Sequence, residues 1–402
     1  MTIIANSRHL LTILLALVTW AVATPFSRAV ADARPILVGL DADMSSSSAR
    51  SGEAIRRGAI LAIDEINHAG GVLGRPLKLV VRDHRGNPAR GRDNIGELAA
   101  MPDLIAVVGG IHTPVALHEL EVIHKVGVIY LGAWAAGTPV VDNGFMPNHV
   151  FRVSVRDALA GPFLVSAAKR AGHLRLGLLL ERTGWGRSNE KAMTKAIASQ
   201  GLRNVGVEWF NWGVNDLTAA IGRLRASGAD ALLLVANPAE GILAVKNLAA
   251  LPKSARIPIV SHWGITGGDF FRSVGPDNLA KVDLTFLQTY SFQRPTRPAR
   301  AAVVTKAYFR RFNDAKTAED IFSPVGTAHA YDIVHLLARA ITKAGLLNRA
   351  DVRDALERLG PYAGLVRDYA PPFTPLRHDA LDASDFTMAR FDAKGRIMPV
   401  EP

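Results

Sequence analysis

From residue 34 onward, short apolar runs alternate with longer segments whose apolar positions recur every three or four residues. Ile36-Leu37-Val38-Gly39-Leu40 is a continuous apolar run of strand length. In 52–68, Ile55, Ala59, Ala62, Ile63 and Ile66 share one helical face, and Gly70-Gly71 stops the helix. The same alternation predicts strands at 77–81, 104–108 and 128–131 and helices at 90–100 and 114–125. It restarts with strands at 174–180, 205–209, 231–235 and 257–260 and helices at 188–199, 216–226 and 238–251. Helices at 299–312, 325–344 and 349–359 follow, and after a Pro-rich stretch the segments 386–390 and 396–399 flank a turn at 392–395.

Strand–helix alternation implies parallel sheets covered by helices. Two such series predict an α/β protein of two doubly wound parallel-sheet lobes, joined near 151–157. In open parallel sheets ligands sit beyond the carboxyl ends of the strands, where helix N-termini offer free N–H groups. Those loops hold Asp41 to Ser51, Gly109 to Thr113, Gly132 to Thr138, Glu181 to Trp185, Ala236-Asn237 and Ser261 to Gly264. Trp134, Trp185 and Trp263 stand there in both series; Trp209 and Trp212 do not. Three indoles at one end of two sheets predict an aromatic-lined cleft. His112, Asn237 and His262 lie in the same loops and join the candidates.

The N-terminus changes the setting. Arg8 precedes an uncharged run from Leu10 to Ala23, Pro25 breaks it, and Ala29-Val30-Ala31 has the small-x-small pattern of a cleavage site. Residues 1–31 therefore read as a signal peptide, with the mature chain starting near Asp32. With no cysteine, the protein has neither disulfides nor an N-terminal lipidation site. The net charge of +11 comes from scattered basic residues, and with the export signal it gives no case for nucleic acid.

Catalytic patterns are sparse. Asp41-Ala42-Asp43-Met44-Ser45 after a strand has the form of a haloacid-dehalogenase phosphatase start, a remote alternative. The calcium-loop reading of that segment fails, with Ser46 and Gly52 where Gly and Glu belong. His112, His118 and His124, six apart, do not share a helical face, so they form no metal site. No cofactor is called for.

One stretch is distinctive: GEAIRRGAILAIDEINHAGGVLGRPLKLVVRDHRGNP at 52–88. AVVGGIHTPVAL, VIYLGAWAAGTP, GLLLERTGWGRS and HAYDIVHLLARAI follow in order. In these motifs the chain resembles the leucine/isoleucine/valine-binding and amide-binding family of periplasmic proteins, over about residues 35–345. The resemblance implies the type I periplasmic-binding fold, its lobes closing over a small solute about a multi-strand hinge. It also implies a periplasmic, monomeric binding component without enzymatic activity, serving an ABC permease in the inner membrane. Residues 32–153 plus about 286–350 would form the N-terminal lobe, and 154–285 plus about 351–402 the C-terminal lobe. Crossings fall near 151–157, 283–290 and 345–362. By the resemblance, Thr113 and the backbone of Ala135 and Ala136 hold a ligand carboxylate, Trp185 covers the ligand, and Ser51 contributes from the first loop. Two departures stand out. Trp263 replaces the acid that pairs with an amino-acid ammonium, and Trp134 replaces a small residue. Both favour an aromatic or flat carboxylate or amide over leucine, with Glu181 or Glu240 as substitute acids. An exported sensor feeding a receptor is the alternative; neighbouring genes would separate the two.

Overall fold

The computed structural model describes residues 34–400; the expected signal peptide at 1–31 lies outside them. The first sheet comprises β1 (Ile36–Ala42), β2 (Leu77–Asp83), β3 (Leu104–Gly109), β4 (Ile129–Gly132) and β5 (Val150–Arg152). Its order is β2-β1-β3-β4-β5, parallel throughout. The connections carry α1 (Ala49–His68), α2 (Pro88–Ala99), α3 (Thr113–Val126) and the short α4 (Thr138–Val141).

The second unit opens with α5 (Asp157–Arg170). Its strands are β6 (Arg175–Glu181), β7 (Arg203–Phe210), β8 (Ala231–Val235), β9 (Ile259–Ser261) and β10 (Leu284–Gln288). Between them run α6 (Gly184–Ser199), α7 (Thr218–Ala226), α8 (Pro238–Ala250), α9 (Phe270–Val274) and α10 (Pro276–Leu279). Next come α11 (Pro298–Arg311), α12 (Pro324–Ala344) and α13 (Arg349–Glu357). The two-residue pair β11 (Tyr362–Ala363) and β12 (Asp368–Tyr369) precedes β13 (Thr387–Phe391) and β14 (Ile397–Pro399). The second sheet runs β14-β13-β10-β9-β8-β6-β7, parallel except that β13 runs against both of its neighbours, β10 and β14. This is the two-sheet α/β architecture expected from the alternation of apolar runs.

The last third of the chain is shared between the units. α12 lies along α1, and a Cβ on Gly58 would fall 2.1 Å from Thr327 O, so only glycine permits that approach. Arg349 donates to the carbonyls of Leu104 and Ala99, which fixes α13 to the first unit. Phe373 and His378 pack on Phe151 of β5. The sequence expectation puts a third crossing at 345–362. Contacts with the first unit continue past that range to Ala380, whose N–H donates to Arg152 O.

A carboxyl pair is buried under the first sheet. Asp41 on β1 and Glu119 on α3 are each 1% exposed and converge over Gly91. Asn94 donates to Asp41 Oδ1 at 2.8 Å. Burial, and then the repulsion from Glu119, push the Asp41 carboxyl far up; burial likewise raises Glu119. The pair holds a proton where exposed carboxylates have lost theirs. Folded pKa values above the unfolded ones mean stability that is complete below the carboxylate range and lost as pH rises through neutral into alkaline. The melting temperature should fall from pH 5 to pH 9 more steeply in the wild type than in Asp41→Asn. Parallel profiles would show that the pair does not share a proton. Asp41 therefore faces the core. Asp43 is tied down by Ser46 N–H (2.8 Å) and Ser48 N–H (3.0 Å) at the start of α1. Neither is placed as a nucleophile, which removes the basis of the phosphatase reading.

Candidate functional site

Where the two sheets' carboxyl ends face each other, loops from both units meet. Trp134 follows β4 and is 1% exposed. It fits because position 326 has no side chain; a Cβ on Gly326 would lie 2.6 Å from Trp134 Cζ3. Trp263, also 1% exposed, reaches across from the second unit, its ring 5.9 Å from that of Trp134 and 5.6 Å from that of His329. Trp185, at the start of α6, stands edge-on to His262 at 5.0 Å. All three indoles singled out in the sequence thus lie at the junction, two of them in contact.

Around them is a polar framework. His262 Nδ1 accepts from Trp263 N–H (2.9 Å), so its proton is on Nε2 and donates to Asp157 Oδ1 (3.1 Å). Trp185 Nε1 donates to the same oxygen at 3.2 Å. Asp157 is fully buried, and its Oδ2 has no partner. Its N–H donates to Ala136 O, which ties α5 to the β4–α4 loop. Sequence reading missed Asp157 because Gly161 and Pro162 disguise α5 as a loop.

The other candidates divide. Thr113, first residue of α3, accepts from Gly137 N–H at 3.1 Å, leaving its own O–H free to donate. Ala135 N–H donates to Gly110 O at 3.2 Å, within the first unit. Ser51 donates to Gly267 O across the junction. Asn237 donates to Glu181 Oε2 at 3.0 Å, and His112 Nε2 lies 3.4 Å from Asp43 Oδ2 at the rim. Glu181 and Glu240, the substitute acids, are both engaged by the protein itself. Glu181 accepts from Thr183, Trp212 and Asn237, and Glu240 from Gly213 N–H. Burial pushes the Glu181 carboxyl up to about 7, against the hydrogen bonds from Thr183 and Trp212.

Arg152 supports this arrangement from β5. It is 0% exposed; Nη1 donates to Ala135 O (3.0 Å) and Gly137 O (2.9 Å), and Nε to Asp379 (2.6 Å). His329 bridges Ala133 O and Thr289 at 3.0 and 2.9 Å, and burial lowers it to about 4, so it is neutral.

The sequence profile of the periplasmic binding protein family matches residues 35–396. The chain belongs to that family. Members are exported binding proteins that capture small solutes and work with ABC permeases. This binding protein is 24% identical over 337 residues to the Leu/Ile/Val-binding protein homolog 1 of Brucella suis, covering 83% of this chain and 85% of that one. Its fold matches a periplasmic binding protein type 1 from Bordetella pertussis, with TM-score 0.81, 22% identity and coverage of 91% and 100%. It also matches an R. palustris solute-binding protein in complex with 4-hydroxybenzoate, with TM-score 0.73, 18% identity and coverage of 92% and 96%. Among the described residues of this binding protein, no helix is long and apolar enough to cross a membrane.

Proposed function

We propose that the protein is the exported, periplasmic solute-binding component of an ABC importer, with its mature chain starting near Asp32. The cleft would take a small flat or aromatic solute that carries a carboxylate or amide. The observation that carries this reading is a set of buried polar atoms without partners at the junction: Ser48 Oγ, Trp134 Nε1 and Asp157 Oδ2. Buried polar groups are nearly always satisfied, so three orphans beside the clustered indoles suit a polar solute between two lobes. Ser48 and Trp134 offer donors to a carboxylate or carbonyl, as does Thr113. Asp157 offers an acceptor to an N–H or ammonium. The apolar body of the solute would lie along Trp134, Trp185 and Trp263. The lobes would close about the crossings after Arg152, after Gln288 and after Ala380.

The names of the relatives point both ways, toward branched-chain amino acids in Brucella and toward 4-hydroxybenzoate in R. palustris. The bulk at Trp134 and Trp263 favours the second class. Calorimetry on solute-stripped protein with leucine, valine, phenylalanine, 4-hydroxybenzoate and benzamide tests the reading. An aromatic solute is expected to bind at least tenfold tighter than leucine or valine. Tighter leucine binding that survives Trp263→Ala would overturn the assignment of solute class.

A further inference from the structure

Trp212 sits in the turn after β7, two residues past Phe210, the last residue of that strand. Its Nε1 donates to Glu181 Oε2 at 3.0 Å. Its ring crosses to the first unit and packs on His112, with centroids 5.0 Å apart and planes at 53°. A Cβ on Gly86 would lie 3.8 Å from Trp212 Cζ3, 3.8 Å from Ser46 Oγ and 3.7 Å from His112 Nε2. The indole is therefore seated among the loops that follow β1, β2 and β3.

Both sides of this contact are held. Glu181 is fully buried and also accepts from Asn237 and Thr183, while Glu240 accepts from the neighbouring Gly213 N–H at 3.0 Å. On the first unit, the Asp43 carboxylate beside His112 is fixed by Ser46 and Ser48. The opposite side of the junction closes differently. Ser51 donates to Gly267 O, Ser323 to Thr266 O (3.1 Å), and Arg50 pairs with Asp269 (3.6 Å). Water can replace such polar contacts at small net cost when the lobes part. The Trp212 contact buries aromatic surface only while they are together.

We propose that Trp212, oriented by Glu181, is a cross-lobe latch that sets how readily the cleft closes and how long it retains a solute. Glu181 is a positioning residue: it holds the indole across the mouth and Asn237 along the same wall. The proposal rests on the cleft being the solute site, but its test needs no solute.

The chain has no native cysteine, so an introduced pair provides its only thiols. A Cβ at Gly184 would lie 2.7 Å from Leu117 Cδ1 across the junction, so Leu117→Cys with Gly184→Cys forms a disulfide only when the lobes meet. Its rate of formation under fixed oxidant follows the closed population, even where that population is small. In this background Trp212→Ala should slow trapping about fivefold, with Trp212→Phe in between. Glu181→Ala should slow it similarly, whereas Glu181→Gln, whose amide oxygen still accepts from the indole, should retain most of the rate. A merely structural Glu181 would lower the melting temperature without changing the rate. Trp212→Ala replaces a half-buried residue on a turn, so it tests the latch even if Glu181→Ala fails to fold. Trapping at the wild-type rate in Trp212→Ala would overturn the proposal and leave the reading of solute class untouched.

Discussion

Arg152→Met is expected to be the most damaging single substitution near the cleft, destabilising by about 3–5 kcal/mol. The guanidinium is completely buried and serves three partners: Asp379 and the carbonyls of Ala135 and Gly137. Methionine fills similar volume but offers no donor. Asp379 would keep only Arg156, at 3.7 Å, Ala135 O would lose its donor, and Gly137 O would keep only the Val140 N–H. Breaking a buried pair costs more than the pair contributed, because the remaining charge stays desolvated. For a chain of this size the loss corresponds to a melting temperature lower by roughly 5 °C. Adding Asp379→Leu should recover part of it, giving a double variant less destabilised than the two singles summed. Simple additivity in calorimetric melting would mean that the two residues are not coupled. Since Arg152 also holds the Ala135–Gly137 loop, solute affinity should fall with it.

Asp157→Asn should leave stability nearly unchanged and alter selectivity. The asparagine carbonyl can still accept from Trp185 Nε1 and His262 Nε2, as Asp157 Oδ1 does. What changes is the unpartnered oxygen, which becomes an NH2 group and turns an acceptor into a donor. A hydrogen bond to a charged group contributes about 1.5–3 kcal/mol, so a solute that presents an ammonium there should bind about 10- to 150-fold more weakly. A carboxylate without an amino group, such as 4-hydroxybenzoate, should be little affected. Calorimetry with phenylalanine and 4-hydroxybenzoate on both proteins gives the comparison. Less than a threefold change for every solute that binds would show that Asp157 faces none of them.

The sheets were legible because fully buried parallel strands are nearly continuous apolar runs. Predicted and observed strands agree closely for β1, β3, β6 and β8. What escaped was short or disguised. β5 has three residues, α5 carries Gly161 and Pro162, and Leu284–Gln288 read as a crossing although it is a strand. The same blind spots govern the site. Trp134, Trp185 and Trp263 were visible because each follows a recognisable strand. Asp157 was not, because its helix was not. Trp212 falls outside the predicted loops because the strand pattern stops at Trp209, one residue short of the observed end at Phe210. Arg152 and His329 lie inside elements, where nothing in the sequence distinguishes a residue serving the cleft from one serving the core.

The late return of β13 to the edge of β10 bears on how the molecule is assembled. β10 pairs on one side with β9 and on the other with β13, which lies about a hundred residues further along the chain. Until those final strands arrive, the second sheet presents an open, strongly apolar edge, Leu284 to Gln288, capable of pairing with another chain. The first unit waits as well, since α12 must come back to cover α1. The first unit draws on residues as late as Ala380 and the second on β14, so synthesis from the N-terminus yields no completed module until the chain is nearly finished. A chain cut before Thr387 would consequently be more prone to aggregate than to persist as a single folded lobe.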